Sequence, residues 1–236
     1  MQLTGLIQNY DGEYLTIVAP FDKGYALEQK EIVDCTVSLN DGRGISAAQR
    51  RKIFALVSDI GEYVSGISNR RDYEEMLRAL KLRYIIDATD KECVRRMLTL
   101  RYCELANTDM FSLSDVDMST ARDFISWLID MCLDYDIPTN DSLLYLSEDV
   151  SRYLHKCVAM RKCAICGKKA DIHEVEKVGT GRNRRKIHHL GQQVQPLCRL
   201  HHREEENLGQ KAFNEKYHIS TIKLDKALCK AIGWKI

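Results

Sequence analysis

The sequence predicts an α+β chain in two parts, a mixed strand-and-helix region over residues 1–155 and a small strand–loop–strand–helix module over 156–236. Three observations carry that expectation. A hairpin signal opens the chain, amphipathic helical stripes fill its middle, and a Cys-x-x-Cys pair is answered by a Cys-x-x-His pair near its end.

The hairpin comes first. Leu6-Ile7-Gln8-Asn9-Tyr10 and Tyr14-Leu15-Thr16-Ile17-Val18 favour strands, and Asp11-Gly12 between them is a strong turn signal. Ile32–Val37 reads as a third strand. Ser46 and Gln49 form a capping box, after which Ile53, Val57, Ile60 and Val64 recur at helical spacing. A second helix is expected over 71–82, with Tyr73, Met76, Leu77 and Leu80 on one face, and a short element over 92–100. The strongest stripe is Ala121, Phe124, Ile125, Leu128, Ile129 and Cys132 within 119–134, closed by Pro138. Asp115, Asp117 and Asp123 suit the start of that helix. Residues 141–161 read as one more helix leading into the module.

Charge is unevenly spread. Of 35 Lys/Arg and 34 Asp/Glu, residues 161–217 hold thirteen and seven, a balance of +6, and residues 218–236 add +3. Residues 1–160 carry 18 against 26, or −8, so a nucleic-acid footprint is expected only in the C-terminal third. No stretch is long and apolar enough to span a membrane, and Met1-Gln2-Leu3-Thr4 does not open a secretory signal. Nine cysteines, an odd number, then point to reduced thiols in a cytoplasm rather than to a disulfide framework. Cys35, Cys93, Cys103, Cys132, Cys157 and Cys229 lie alone in apolar or helical patterns and read as buried residues.

The remaining three have ligand spacing. Cys163-Ala164-Ile165-Cys166, with Gly167 for the turn, can aim two thiolates at one ion, and Cys198-Arg199-Leu200-His201 supplies the other half. A Cys₃His set in two short pairs suits tetrahedral zinc. Between the pairs lie a strand at Asp171–Glu176, a basic glycine-containing turn with Arg182, Arg184, Arg185 and Lys186, and a strand at Gln193–Leu197. A helix starts at His201-His202. The basic turn suits phosphate contacts, which add salt-dependent affinity without reading sequence. His188 and His189 read as exposed loop residues ahead of the alternative that they are extra ligands, and His155 and His218 as surface positions without a role.

Cys-x-x-Cys, a His-bearing strand, a basic loop and Leu-Cys-x-x-His-His together resemble the HNH nuclease family, with its zinc-knuckle ββα-metal fold, over roughly residues 160–220. The resemblance implies metal-dependent hydrolysis of a phosphodiester. It places His201 as the last zinc ligand, His202 on the helix histidine that binds the catalytic ion, and Gln193 where an Asn is usual. Glu206, four residues after His202 on the same helix face, stands where related sequences often have His, as a third ligand to the catalytic ion. His173-Glu174 falls on a pair whose first member binds metal and whose second is the general base. Two registers stay open: His173 as ligand with Glu174 as base, or His173 as base. Glu is a good ligand for Mg²⁺ or Mn²⁺, both of which prefer oxygen.

A second, looser resemblance covers about residues 30–140. Arg43-Gly44-Ile45-Ser46 and Gln49-Arg50-Arg51-Lys52-Ile53-Phe54 resemble the phage lambda Orf (NinB) recombination proteins. That likeness implies a dimer that binds single-stranded DNA and single-strand-binding protein, with Arg50, Arg51 and Lys52 touching DNA. The expected function is a DNA endonuclease of phage recombination or replication in the bacterial host cytoplasm. The alternatives are a non-catalytic mediator that binds single strands and keeps a decayed HNH site, and a zinc-built interaction module without nucleic acid.

Overall fold

The computed structural model describes residues 6–20, 43–66, 91–175 and 189–235. The expected strand at Ile32–Val37, the helix over 71–82 and the basic turn with Arg182, Arg184, Arg185 and Lys186 lie outside them. The chain divides into two compact units, Met1–Leu39 and Asn40–Ile236.

In the first unit, strands β1 (Leu6–Tyr10) and β2 (Leu15–Val18) pair antiparallel. The turn forms where the sequence places it. The Asp11 carboxylate accepts from the amides of Glu13 and Tyr14 at 3.0 and 2.7 Å, and Gly12 takes φ +103°, a conformation that needs no Cβ.

The second unit is mixed helix and sheet, as an α+β chain should be. Helix α1 (Ala47–Ser65) opens with the expected capping box: Gln49 N donates to Ser46 Oγ and Ser46 N donates to Gln49 Oε1, both at 3.1 Å. The expected stripe of Ile53, Val57, Ile60 and Val64 is buried, with Leu56 beside it. Helix α2 (Lys91–Ala106) is longer than the short element expected, since Tyr102 and Cys103 continue its packed side. Helix α3 (Met118–Asp134) carries the strongest stripe, and Asp117 caps it by accepting from Thr120 N at 2.9 Å. Helices α1 and α3 start side by side, because Ile45 N donates to Val116 O and Met118 N donates to Arg43 O.

Residues 141–161 do not form one helix. A single turn, α4 (Leu143–Leu146), ends at Ser147, which is extended, and α5 (Val150–Met160) restarts where Asp149 accepts from Arg152 N. The Asp149 cap gives the backbone a local alternative to continuing the helix, and the break lets Leu146 and Leu154 both face inward.

Arg161 closes α5 at φ +52° and hands the chain to the module that carries the two Cys/His pairs. A three-stranded antiparallel sheet follows in the order β3 (Asp171–Glu174), β4 (Gln193–Leu197), β5 (Ile222–Lys223). Its helices are α6 (Arg199–Leu208), α7 (Gln210–Tyr217) and α8 (Lys226–Ile232). Helix α5 touches α3 on one side and β4, β5 and α8 on the other. Core residues therefore run unbroken from Ile45 and Phe124 through Leu154 and Cys157 to Val194, Phe213 and Ile232. The sequence division between residues 155 and 156 falls inside α5.

Removing the Phe124 side chain, fully buried beside Tyr102, Phe111 and Trp127, should cost roughly 3–5 kcal/mol in urea denaturation. Ser46→Ala, which removes one cap, should cost about 1 kcal/mol.

Candidate metal centres

The first centre is built by the turn after α5 and the start of α6. Cys163 N donates to Lys168 O at 2.7 Å and Gly167 N to Cys163 O at 2.8 Å, which folds the Cys-x-x-Cys segment on itself. Gly167 sits at φ +68°, as the tight turn requires. Ala164 N donates to Pro196 O at 3.0 Å, and the buried Tyr153 hydroxyl donates to Ala164 O at 2.9 Å. The turn is thus pinned to both β4 and α5. Cys198 is the N-cap of α6, so its sulfur and the His201 ring share the first helical turn.

These elements bring Cys163, Cys166, Cys198 and His201 together, with one ligand atom of each within 4.8 Å of the others. The Cys166 and Cys198 sulfurs lie 3.7 Å apart, and His201 Nδ1 lies 3.4 Å from Cys163 Sγ and 3.3 Å from Cys198 Sγ. A zinc tetrahedron with bonds of about 2.0–2.3 Å has edges of roughly 3.3–3.8 Å, so the donors fit the ion in both type and spacing. Burial pushes the Cys163 thiol up to about 12, and burial also lowers the His201 pKa, keeping its ring neutral as a ligand must be. At Cys198 burial acts upward, but the amides of His201 and Leu200 and the neighbouring thiols outweigh it, so that thiol is lowered. A cation in the cluster would supply the charge that Cys163 needs to ionise.

The second centre lies between β3 and α6. His173 Nδ1 is 2.5 Å from His202 Nε2, the rings standing at 67° with centroids 4.3 Å apart, and His173 Nε2 is 3.3 Å from Glu205 Oε2. His173 and Glu205 side chains are only 11% and 8% exposed. Two imidazoles and a buried carboxylate form a set that can hold one divalent ion. The helix residue brought here is Glu205, three positions after His202, while Glu206 is exposed. Both i+3 and i+4 neighbour His202 on a helix, and the seating of α6 against the sheet turns the i+3 residue inward.

Strand alternation separates the His173-Glu174 pair. His173 shares its face of the sheet with its cross-strand partner Gln195, and Glu174 is paired with Val194 on the other face. Glu174 Oε1 lies 3.4 Å from His189 Nδ1, which is also 3.0 Å from Gln192 Oε1. His189 is therefore half-buried rather than the exposed loop residue expected, because Glu174, Gln192 and the Trp234 ring, 4.4 Å away, gather around it. Gln193 accepts from Thr221 Oγ1 at 2.7 Å.

Gln195 was missed by sequence reasoning. It is fully buried: its amide donates to Asn214 Oδ1 and Ser220 O and accepts from Gln210 Nε2, joining β4 to α7. A glutamine in a strand otherwise rich in apolar residues was the available signal.

The basic residues of α1 are mostly engaged within the fold. Arg50 Nη2 donates to Ser114 O at 3.2 Å and Lys52 pairs with Glu148, which leaves Arg51 exposed. His218 is the left-handed cap of α7 and His155 is half-exposed on α5.

A family model described as "Putative HNHc nuclease" matches residues 25–234, and the chain belongs to that family of HNH nucleases. No curated protein and no solved structure matches it. Among the described residues, no helix is long and apolar enough to cross a membrane.

The Cys₃His geometry predicts about one tightly held zinc per chain by elemental analysis. Cys163→Ser or Cys198→Ser should lose that zinc and lower the urea midpoint. Zinc-free wild-type protein with an unchanged midpoint would refute the assignment.

Proposed function

We propose that this chain is a divalent-metal-dependent DNA endonuclease that hydrolyses phosphodiester bonds in phage DNA recombination or replication. The observation that carries the reading is the His173–His202–Glu205 cluster, set on a strand and helix that the Cys₃His centre clamps together.

Membership of the HNH nuclease family supports hydrolysis, and the donor set supports a catalytic Mg²⁺ or Mn²⁺ beside a structural zinc. Such an ion, when bound, polarises the scissile phosphate and stabilises the leaving oxygen. His173 and His202 would hold it from the strand and the helix, and Glu205 would supply an anionic oxygen. Glu174, on the other face of β3, occupies the side from which water would be activated, and Gln193 braces the start of β4 through Thr221. Arg182, Arg184, Arg185 and Lys186, in the segment joining β3 to β4, would hold flanking phosphates.

The Orf-like part, residues 1–155, would act as a homodimer that meets single-stranded or branched DNA and single-strand-binding protein in the bacterial host cytoplasm. The Arg43–Phe54 motif supports this. Arg51 is the residue of its basic run best placed for DNA, since Arg50 and Lys52 are held by Ser114 and Glu148.

With Mg²⁺ or Mn²⁺, the protein should nick supercoiled plasmid or cut labelled single-stranded or branched DNA. His202→Ala and Glu205→Ala should abolish cutting while retaining the structural zinc, and Glu206→Ala should cut at close to the wild-type rate. A wild-type protein that cuts none of these, yet binds single strands in a salt-sensitive way, would instead be a mediator.

A further inference from the structure

We infer that His189, oriented by Glu174 and Gln192, is the proton acceptor for the attacking water, and that Glu174 is its positioning residue. The inference rests on the nuclease reading and assigns a role to a group which that reading leaves unused.

The geometry starts at Nδ1. Two acceptor oxygens face it, Gln192 Oε1 at 3.0 Å and Glu174 Oε1 at 3.4 Å. A nitrogen facing two acceptors carries the proton, so the lone pair lies on Nε2. Among the described residues nothing bonds to Nε2. The backbone is held as well, since His189 N donates to Lys235 O at 3.1 Å. With Trp234 against one side, the ring is fixed while remaining reachable, its side chain 18% exposed. A carboxylate behind the ring stabilises the imidazolium that forms when Nε2 takes a proton, as in other carboxylate–histidine pairs.

Position along β3 supplies the second argument. Among the described residues β3 pairs with β4 alone, so its two faces meet along its other edge. His173 stands on one face and Glu174, with His189, on the other. In-line displacement at phosphorus puts the entering and leaving oxygens on opposite sides. A phosphodiester laid across that edge would have the His173–His202–Glu205 cluster on its leaving side and His189 on its entering side.

The step balances with water as co-reactant. A water O–H gives its proton to His189 Nε2, and the oxygen's electron pair forms the new P–O bond. The bond to the leaving oxygen then breaks with its electron pair, and solvent protonates that oxygen.

The test compares full-length wild type with His189→Ala and Glu174→Gln, using supercoiled plasmid and Mn²⁺. His189→Ala should lower kcat by roughly 10²–10⁴-fold, the range of a general base, with KM unchanged, and added imidazole should restore part of the rate. Calorimetric titration should give His189→Ala the wild-type Kd for Mn²⁺, which a purely structural role would not spare. Glu174→Gln should lower kcat by a smaller factor. A readout independent of turnover is ¹⁵N NMR of the protein without added Mn²⁺, where His189 should be the Nδ1–H tautomer. An Nε2–H tautomer, no imidazole rescue in a folded variant, or a wild-type rate in His189→Ala would each overturn the inference. If cutting is lost in His202→Ala but kept in His189→Ala, the nuclease reading stands and only this assignment falls. A wild-type protein without nuclease activity overturns both.

Discussion

The register of β3 on β4 is the constraint on which the functional half depends. Side chains alternate across a strand, so a slip of one residue would exchange the places of His173 and Glu174. Ala164 N to Pro196 O ties the Cys-x-x-Cys turn directly to β4, and Cys198 follows that strand as the first cap of α6. A metal bound by Cys163, Cys166, Cys198 and His201 therefore joins the segment before β3 to the helix after β4. The Ala164–Pro196 tie and the Cys198 cap start α6 at the height where His202 meets His173, so the two centres share the elements that position them.

Helix α5 plays the corresponding part for the larger core. Its residues Tyr153, Leu154, Cys157 and Val158 are buried. The helix contacts α3 on one side and the sheet with α8 on the other. Apolar burial there is continuous, so the metal module has a wall of helices rather than solvent behind it. This matters for a small sheet whose third strand is only two residues long. Such a sheet buries too little to stand alone, and the clamp and the α5 wall supply what it lacks.

Polar groups near the sites divide into those that fix structure and those left accessible. Gln195 spends its amide on Asn214, Ser220 and Gln210, holding α7 against β4. Lys216 and the Tyr217 hydroxyl meet the Glu204 carboxylate and keep α7 beside α6, the Lys216 bond first among the causes that hold that carboxyl below its usual range. Around α1, Gln49, Arg50 and Lys52 turn inward to Met118, Ser114 and Glu148. Of that basic run Arg51 is left exposed, so a basic run in a sequence is a smaller free cationic surface than its composition suggests.

Much of this was legible in the sequence because it is local. The Asp11-Gly12 turn, the Ser46–Gln49 capping box, the apolar stripes of α1 and α3 and the two ligand pairs each depend on residues a few positions apart, where backbone geometry fixes what can meet. The break at 147–149 was not legible, since periodicity persists through it and the Asp149 cap competes only once Leu146 and Leu154 are both packed. Nor could sequence choose between Glu205 and Glu206, which are equally spaced for helical contact with His202, or seat His189 beside Glu174 across the length of the module. Those outcomes follow from how a helix is rotated against a sheet and which strand face it covers, and such rotations are set by packing between segments far apart in the chain. The sequence by itself determined the ligand types and the local elements that carry them, and only the tertiary structure decided which carboxylate joined the two histidines and which imidazole stood on the other side of β3.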